Sequence, residues 1–292
     1  MLRFIDREVE IWQVREFLNN PPGYVLFVYG PKSSGKSTLM MKIARDVGNF
    51  VFYDFRARAP SNVADALMVP KPTVFGRIRR WLRQKITGMN RMNYPVLVLD
   101  EVQALTYSGV NFKEIAAMLN FLVTLTKKMH LTHAVVVTSD CLFVENAVKL
   151  AALEEAAEFM FVGDLEKATV LGWMREEGMD DAQARRVWEV CGGRPYELWL
   201  VVNHFHAIGE LDILDKIIAR KKARIEMVVG NDKECEEILR KMAKKGKIKV
   251  RQVDRKILEK LIKEEIAFFD PIEGTIYPIS QSTGVAIQQL YL

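Results

Sequence analysis

Cysteine is scarce in this sequence of 292 residues, and its three cysteines, Cys141, Cys191 and Cys235, stand far apart without a Cys-x-x-Cys pair. An odd number of widely spaced cysteines argues against a disulfide framework and against a zinc or haem site, so we expect reduced thiols. Glycine (17) and proline (10) are also few, while 49% of the residues are apolar and 27% are charged. This composition excludes collagen-like and disordered chains and is typical of a folded protein.

Long apolar runs are missing as well. The longest uninterrupted run, Tyr24 to Tyr29, is far shorter than the roughly 20 residues that a membrane helix needs. The first eight residues carry four charges and no apolar segment, so we expect no signal peptide. Together these features predict a cytoplasmic protein with no membrane partner.

The net charge of +5 is unevenly distributed along the chain. Between Lys216 and Glu265 there are 17 Lys and Arg residues against 9 Asp and Glu residues, a net of +8, so the remaining residues sum to −3. A smaller basic cluster lies between Gly76 and Lys85. Basic stripes are typical of nucleic-acid binding, although a solvated charged face is the more common meaning of any one stretch.

Short apolar segments alternate with helical patterns in the first 160 residues. The apolar positions Leu39, Ile43 and Val47 recur every four residues, as a helix requires. Strands alternating with helices predict an α/β fold with a parallel sheet covered on both faces. The predicted strands are Tyr24–Tyr29, Asn49–Phe55, Val96–Leu99 and Ala134–Val137, and a further helix is predicted over Phe112–Met129.

Beyond Gly163 the strand signal disappears until near the end of the chain. Helices are predicted over 164–178, 180–191, 195–203, 211–229, 233–245 and 253–264, followed by strands at 267–269 and 275–277. The last two helices and the hairpin match a winged helix-turn-helix, with 253–264 in the recognition position. We therefore expect three domains: a P-loop sheet domain (1–163), a small helical domain (164–229) and a winged-helix domain (230–292).

One motif carries clear chemistry. Residues 30–37, GPKSSGKS, fit G-x-x-x-x-G-K-[ST], and they follow a predicted strand and open a helix. The glycines let backbone N–H groups point at phosphate oxygens, and the helix N-terminus adds positive potential. Lys36 would reach the β- and γ-phosphates, and the Ser37 hydroxyl would bind Mg²⁺. The predicted nucleotide-binding residues here are Gly30, Pro31, Lys32, Ser33, Ser34, Gly35, Lys36, Ser37 and Thr38.

Two carboxylates follow the strand Val96–Leu99, at the end of a strand where α/β sheets bind ligands. Asp100 is placed to hold Mg²⁺, and Glu101 to accept a proton from an attacking water. A base dedicated to water favours hydrolysis over transfer to another acceptor. The alternative is an acidic helix N-cap.

Polar residues also follow the strand Ala134–Val137. Ser139, or alternatively Thr138, could hydrogen-bond the γ-phosphate or the attacking water, and either could equally be a helix cap. The sequence leaves these interpretations open.

At these residues the chain resembles the archaeal branch of the signal-transduction-type P-loop ATPases, which are relatives of AAA+ proteins. Besides the P-loop and the Leu-Asp-Glu strand end, residues 4–10 (FIDREVE) resemble its N-terminal box and residues 192–198 (GGRPYEL) its GGxPxxL signature. The resemblance implies that Arg7 lies near the adenine and that Pro195 approaches the nucleotide. No arginine is marked as a finger, and Arg194, Arg77, Arg79, Arg80 and Arg83 are candidates.

The leading hypothesis is a Mg²⁺-dependent ATPase that binds ATP or ADP and acts as a switch or motor. The alternative is a nucleotide-binding scaffold for protein partners that does not hydrolyse ATP. DNA could bind the basic winged helix, and protein partners or a homo-oligomer remain open. The candidate DNA contacts are Lys244, Lys245, Lys247, Lys249, Arg251, Arg255, Lys256 and Lys260.

Overall fold

The structure is a computed structural model that describes residues 6–47, 49–56, 94–107, 109–150, 153–209 and 211–292. The described residues form two compact units. We call the first, within Arg7–Gly30 and Lys36–Val162, the sheet unit. The second, within Pro31–Gly35 and Gly163–Leu292 and including Asp6, is the helical unit.

The sheet unit is built on a five-stranded parallel sheet in the order β2-β3-β4-β1-β5. Its strands are β1 (Val25–Tyr29), β2 (Phe50–Asp54), β3 (Val96–Asp100), β4 (His133–Thr138) and β5 (Ala157–Phe161). Its helices are α1 (Glu8–Asn19), α2 (Lys36–Val47), the short α3 (Ala104–Tyr107), α4 (Phe112–Val123) and α5 (Cys141–Val148), with a π-helical turn at Thr124–Lys128.

Every residue of the three inner strands, β1, β3 and β4, is buried. This burial explains their unbroken apolar sequences, because a strand of a covered parallel sheet packs on both faces. The four predicted strands are confirmed. The prediction missed β5, an edge strand in which Glu158 is exposed and only Met160 is buried. The helix predicted to Met129 ends at Val123, where the π-helical turn begins.

The helical unit contains seven helices in its described residues and a small antiparallel sheet in the order β6-β8-β7. The helices are α6 (Lys167–Glu176), α7 (Asp181–Cys191), α8 (Pro195–Ile208), α9 (Ile213–Val229), α10 (Lys233–Lys245), α11 (Arg255–Lys263) and α12 (Gln281–Tyr291). The strands are β6 (Ile248–Lys249), β7 (Ala267–Asp270) and β8 (Thr275–Pro278), and a 3₁₀ turn covers Val250–Gln252.

The predicted helices and hairpin of this unit are confirmed, although α6 begins only at Lys167 and α8 extends to Ile208. Helix α12 was not predicted. A close backbone approach joins α7 to the segment before α6: the Leu165 N–H donates to the Gly193 carbonyl at 2.8 Å. A Cβ atom at Gly193 would lie 1.9 Å from the Leu165 carbonyl oxygen, so this position requires glycine.

The three cysteines are all buried, and none forms a disulfide in the part of the chain that the structure describes. Within the same described ranges, no helix has both the length and the apolar character needed to cross a membrane.

Candidate functional site

The segment after β1 turns sharply before helix α2 begins. Gly30 and Gly35 have φ angles of 151° and 94°, in the region that glycine adopts most readily. A Cβ atom at Gly30 would lie 2.2 Å from the Val162 carbonyl oxygen, so no side chain fits there. Between the glycines, the Ser34 N–H donates to the Pro31 carbonyl at 3.3 Å. The motif therefore forms the tight turn that its glycines predict.

Lys36 is the buried cation of this turn, with only 4% of its surface exposed. Its Nζ donates to the Gly30 carbonyl at 3.0 Å, so the side chain folds back to the first residue of the motif. By contrast, Lys32 and Ser33 in the loop and Thr38 in the first turn of α2 are exposed. Of the two basic residues of the motif, Lys36 is therefore buried and Lys32 is exposed.

Asp100, the last residue of β3, lies beside Ser37, whose hydroxyl donates a hydrogen bond to its carboxylate. Asp100 is 1% exposed, and its Oδ1 is buried without a hydrogen-bond partner among the described residues. Burial raises the pKa of Asp100 to about 6, and the Ser37 hydrogen bond opposes that rise. A buried carboxylate oxygen that lacks a donor, next to a hydroxyl, is a set of oxygen ligands that fits Mg²⁺.

Glu101 follows with a φ of 55°, unusual for a residue with a side chain, and its N–H donates to the Val137 carbonyl at 2.8 Å. Three side chains hold its carboxylate. Arg56 Nη2 lies 3.1 Å from Oε1, and Gln103 Nε2 and Ser139 Oγ donate to Oε2, the latter at 3.2 Å. The backbone and the side chain of Glu101 are therefore both fixed at the carboxyl edge of the sheet.

The polar residues after β4 divide into distinct environments. Asp140 caps helix α5, because its Oδ1 accepts from the N–H groups of Leu142 and the next residue. The Thr138 hydroxyl donates to Gln103 Oε1 at 2.8 Å. The helix cap is thus neither Thr138 nor Ser139, and of these two hydroxyls it is Ser139 that donates to Glu101.

Arg56 and Gln103 were not found from the sequence. Arg56 comes two residues after β2, and Gln103 comes three residues after β3. The carboxyl ends of neighbouring parallel strands meet at one edge of the sheet, so a search for polar residues just after every strand would have found both.

Arg7 immediately precedes helix α1, with a φ of 86° and 7% of its surface exposed. Its Nη1 lies 2.6 Å from Glu10 Oε1, one turn into the helix. The side chain is therefore buried at the N-terminus of α1. Phe4 and Ile5, the first residues of the N-terminal box, lie outside the described residues.

Pro195 is the first residue of α8, a position where its missing N–H costs nothing. Within the helical unit, its ring faces the phosphate-binding motif: a Cβ atom at Gly35 would lie 3.9 Å from Pro195 Cγ. Pro195 thus both begins helix α8 and lies close to the phosphate-binding motif at Gly35.

Arg194 is 5% exposed, and its guanidinium is used within the helical unit. It donates to Asp164 at 2.5 Å, to the Lys32 carbonyl at 2.6 Å and to the Ile279 carbonyl. Arg194 is therefore held by acceptors of the helical unit, and its candidacy as an arginine finger stays a prediction. The other candidates, Arg77, Arg79, Arg80 and Arg83, lie outside the described residues.

Residues 4–66 and 58–201 match a family described as an ATPase domain predominantly from Archaea. The chain belongs to this archaeal ATPase family. Residues 211–291 of the chain match a second family, the C-terminal domain of MJ1010-like ATP-binding proteins. The resemblance to archaeal ATPases is therefore confirmed, and the coverage extends almost to the end of the chain.

Two relatives are similar to this chain over nearly their whole length. The uncharacterized ATP-binding protein PYRAB09480 of Pyrococcus abyssi is 27% identical, and the match covers 98% of each chain. The uncharacterized ATP-binding protein MJ1076 of Methanocaldococcus jannaschii is also 27% identical, with 99% of each chain covered.

Solved structures with a similar fold include two proteins of Aeropyrum pernix. The ORC2 protein in its ADP form is 14% identical with a TM-score of 0.52, and the match covers 99% of this chain and 95% of that one. The ORC1 protein in complex with DNA is 15% identical with a TM-score of 0.50, covering 99% and 94%. The predicted α/β fold, with an AAA+-like parallel sheet followed by a helical region, is thereby confirmed.

Proposed function

We propose that this chain binds ATP and ADP with Mg²⁺ and hydrolyses ATP to ADP and phosphate, acting as a nucleotide-driven switch or motor. The observation that carries the proposal is the pair Asp100–Glu101 at the end of β3. One carboxylate has a buried oxygen without a donor beside Ser37, and the other is held in place next to it. The relatives' description as ATP-binding proteins supports the choice of nucleotide.

Phosphate binding would come from the motif between β1 and α2. The turn of Gly30–Ser37 presents backbone N–H groups, and helix α2 begins within it, so both favour an anion. Lys36, now donating to the Gly30 carbonyl, would exchange that acceptor for a phosphate oxygen. Thr38 follows in the same helix turn. By resemblance we assign Arg7 to the adenine end of the site and expect Pro195 to approach the nucleotide.

Metal binding would use Ser37 Oγ and the Asp100 carboxylate. When bound, Mg²⁺ supplies positive charge that neutralises the β- and γ-phosphate oxygens. The chain's own contribution is to keep Asp100 buried and oriented by Ser37, so that its second oxygen lacks a protein donor. A cation at that oxygen would offset the cost of burying the carboxylate.

Glu101 would accept the proton of the water that attacks the γ-phosphate. Its carboxylate is engaged by Arg56, Gln103 and Ser139, which together take three of its about four acceptor positions and leave little room for the attacking water. Ser139 lies on Glu101 Oε2, where it could also orient that water. Release of one of these partners would therefore favour hydrolysis.

A second candidate is a nucleotide-binding scaffold that does not hydrolyse ATP. The same engagement of Glu101 favours it, because a carboxylate that keeps three donors has little room left to accept from a water. The two candidates share the nucleotide and differ in turnover. Phosphate release by the unmodified chain, measured with saturating Mg²⁺ and ATP, distinguishes them.

Nucleotide binding is tested by calorimetry on Lys36→Ala and Asp100→Asn chains. Lys36→Ala should lose most of its affinity for ATP, and Asp100→Asn should lose the part of the affinity that depends on Mg²⁺. Lys128→Ala, which removes an exposed lysine of the same unit, is the matched control. If Lys36→Ala binds ATP as tightly as Lys128→Ala does, the site is not the P-loop.

For the C-terminal part we propose that residues 230–292 form a winged helix that contacts DNA. In support, α10, β6, α11 and the β7–β8 hairpin follow one another in the order of that fold. Among the described residues, Lys244, Lys245, Arg251 and Lys256 have no carboxylate within ion-pairing distance, and all four are exposed. Lys247, Arg255 and Lys260 instead pair with Glu273, Glu259 and Asp232.

We also propose that the chain has three domains, with boundaries at residues 163 and 229. We further propose that it belongs to the signal-transduction-type branch of these ATPases. A protein-binding wing competes with the DNA-binding one, since winged helices also serve as scaffolds. Salt-dependent binding to a DNA duplex favours DNA, because each phosphate contact releases counterions.

A further inference from the structure

A cavity of about 400 Å³ lies within the helical unit, beside the phosphate-binding motif. We call it the basic pocket. Residues from α8, α9 and the segments before β7 and α12 surround it, together with two residues of the loop between Gly30 and Gly35. The charged residues that line it are Lys32, Arg194, Arg220, Lys221, Glu197 and Glu265.

The charges of the basic pocket favour an anion. Four cations line it, counting the engaged Arg194, against two carboxylates. Lys32 pairs with Glu265 at 2.6 Å, and Lys221 with Glu197 at 3.1 Å. Arg220 is exposed and has no carboxylate partner among the described residues. A guanidinium in this position matches the fork geometry that binds phosphate.

A buried acceptor points to the second part of a ligand. Glu197 is 6% exposed, and its Oε1 accepts from Ser282 at 2.8 Å and pairs with Lys221. Its Oε2 is buried, with no hydrogen-bond partner among the described residues. An acceptor buried without a donor is costly, so a ligand hydroxyl that donated to it would gain free energy.

Apolar side chains also line the basic pocket. Leu200 and Ile217 line the pocket with Ile279, and the half-exposed ring of Tyr196 lies at its edge. A volume of about 400 Å³ is at the small end for ligand pockets, which suits a molecule of sugar-phosphate size.

We propose that the basic pocket binds a small phosphorylated ligand that carries hydroxyl groups. Arg220, with Lys32 and Lys221 beside it, holds the phosphate, and Glu197 Oε2 accepts a hydrogen bond from a hydroxyl. The pocket shares Lys32 and Ser33 with the phosphate-binding motif, whereas Lys36, Ser37 and Asp100 do not line it, so binding there does not depend on hydrolysis.

The experiment measures binding of ribose 5-phosphate and of inorganic phosphate to the full chain by calorimetry. Saturating Mg²⁺ and ADP occupy the P-loop beforehand, and the Lys36→Ala chain without nucleotide is examined in parallel. Ribose 5-phosphate should bind saturably to both chains, and several-fold more tightly than phosphate. Arg220→Ala should weaken both ligands about tenfold. Lys222→Ala, which removes a cation of the same helix outside the pocket, should change neither by more than about twofold.

Glu197→Gln tests the hydroxyl contact separately. It should remove the preference for ribose 5-phosphate over phosphate while phosphate binds no more weakly than before. Thermal unfolding of each variant checks that it folds. If Glu197→Gln does not fold, Arg220→Ala alone tests the proposal. The proposal is overturned if neither ligand binds saturably to the Mg²⁺–ADP-saturated chain. It is equally overturned if Arg220→Ala binds as Lys222→Ala does, or if the Lys36→Ala chain loses binding.

Discussion

His133, the first residue of β4, makes the stability of the sheet unit depend on pH. It is 1% exposed, and neither ring nitrogen has a hydrogen-bond partner among the described residues. Its ring lies edge-on to Phe17 and Tyr94, with centroids 4.9 and 5.8 Å away. Burial lowers the pKa of His133 from 6.5 to about 4, because the charged ring would lose its solvation.

The sign and size of the effect follow from the two pKa values. The unfolded chain takes up the proton near the ordinary pKa of histidine and the folded chain only near 4, so stability is lost as the pH falls through this window. Each pKa unit corresponds to 1.36 kcal/mol, so the full difference costs about 3 kcal/mol of unfolding free energy. Above about pH 7 the effect disappears.

The assay compares guanidinium unfolding of the unmodified chain and of His133→Phe from about pH 8 to about pH 4, without nucleotide. Groups that titrate in both chains cancel in the difference. Relative to the unmodified chain, the variant should gain about 3 kcal/mol as the pH falls. His133→Leu fills less space than His133→Phe and should be less stable than that variant at every pH. Relative to the unmodified chain, it should show the same gain in stability as the pH falls. A difference that stays constant with pH would refute the burial of a neutral histidine.

Three further outcomes are expected. Gly193→Ala should lower the free energy of unfolding by more than about 3 kcal/mol, because its Cβ would meet a carbonyl oxygen at 1.9 Å. Gly172→Ala in α6, where nothing lies within 4 Å of the added Cβ, should raise it by about 0.5–1 kcal/mol in the same assay. Arg56→Ala frees one oxygen of Glu101 and should raise basal phosphate release several-fold; a fall would show that Arg56 supports catalysis instead. Lys256→Ala should weaken DNA binding and reduce the slope of log affinity against log salt by about 1, and a salt-independent affinity would reject phosphate contacts.

The sheet could be predicted where burial is complete. Strands β1, β3 and β4 are apolar throughout because both of their faces are covered, and their sequences show it directly. The edge strand β5 has the sequence AEFMF and only one buried residue, so its pairing with β1 leaves little trace in the sequence. Helix α12 was missed because its polar first turn and its glycine weaken the helical pattern.

In the candidate site, too, some features could be predicted from the sequence and others could not. The turn at Gly30 and the pair Asp100–Glu101 lie within single short motifs, and the sequence alone indicated them. The partners of Glu101 come from three different strand ends, and no local pattern links Arg56 to a carboxylate 45 positions away. Arg194 likewise draws its acceptors from distant segments, so no local pattern in the sequence indicated these contacts.

The central claim is that Glu101 accepts the proton of the attacking water. It is tested most directly by single-turnover phosphate release from a Glu101→Gln chain with bound Mg²⁺ and ATP. Glu155→Gln, at a carboxylate that is 89% exposed, is the matched control. We predict that Glu101→Gln still binds ATP but releases phosphate at least about 100-fold more slowly, while Glu155→Gln matches the unmodified chain. Release from Glu101→Gln as fast as from the unmodified chain would contradict the claim.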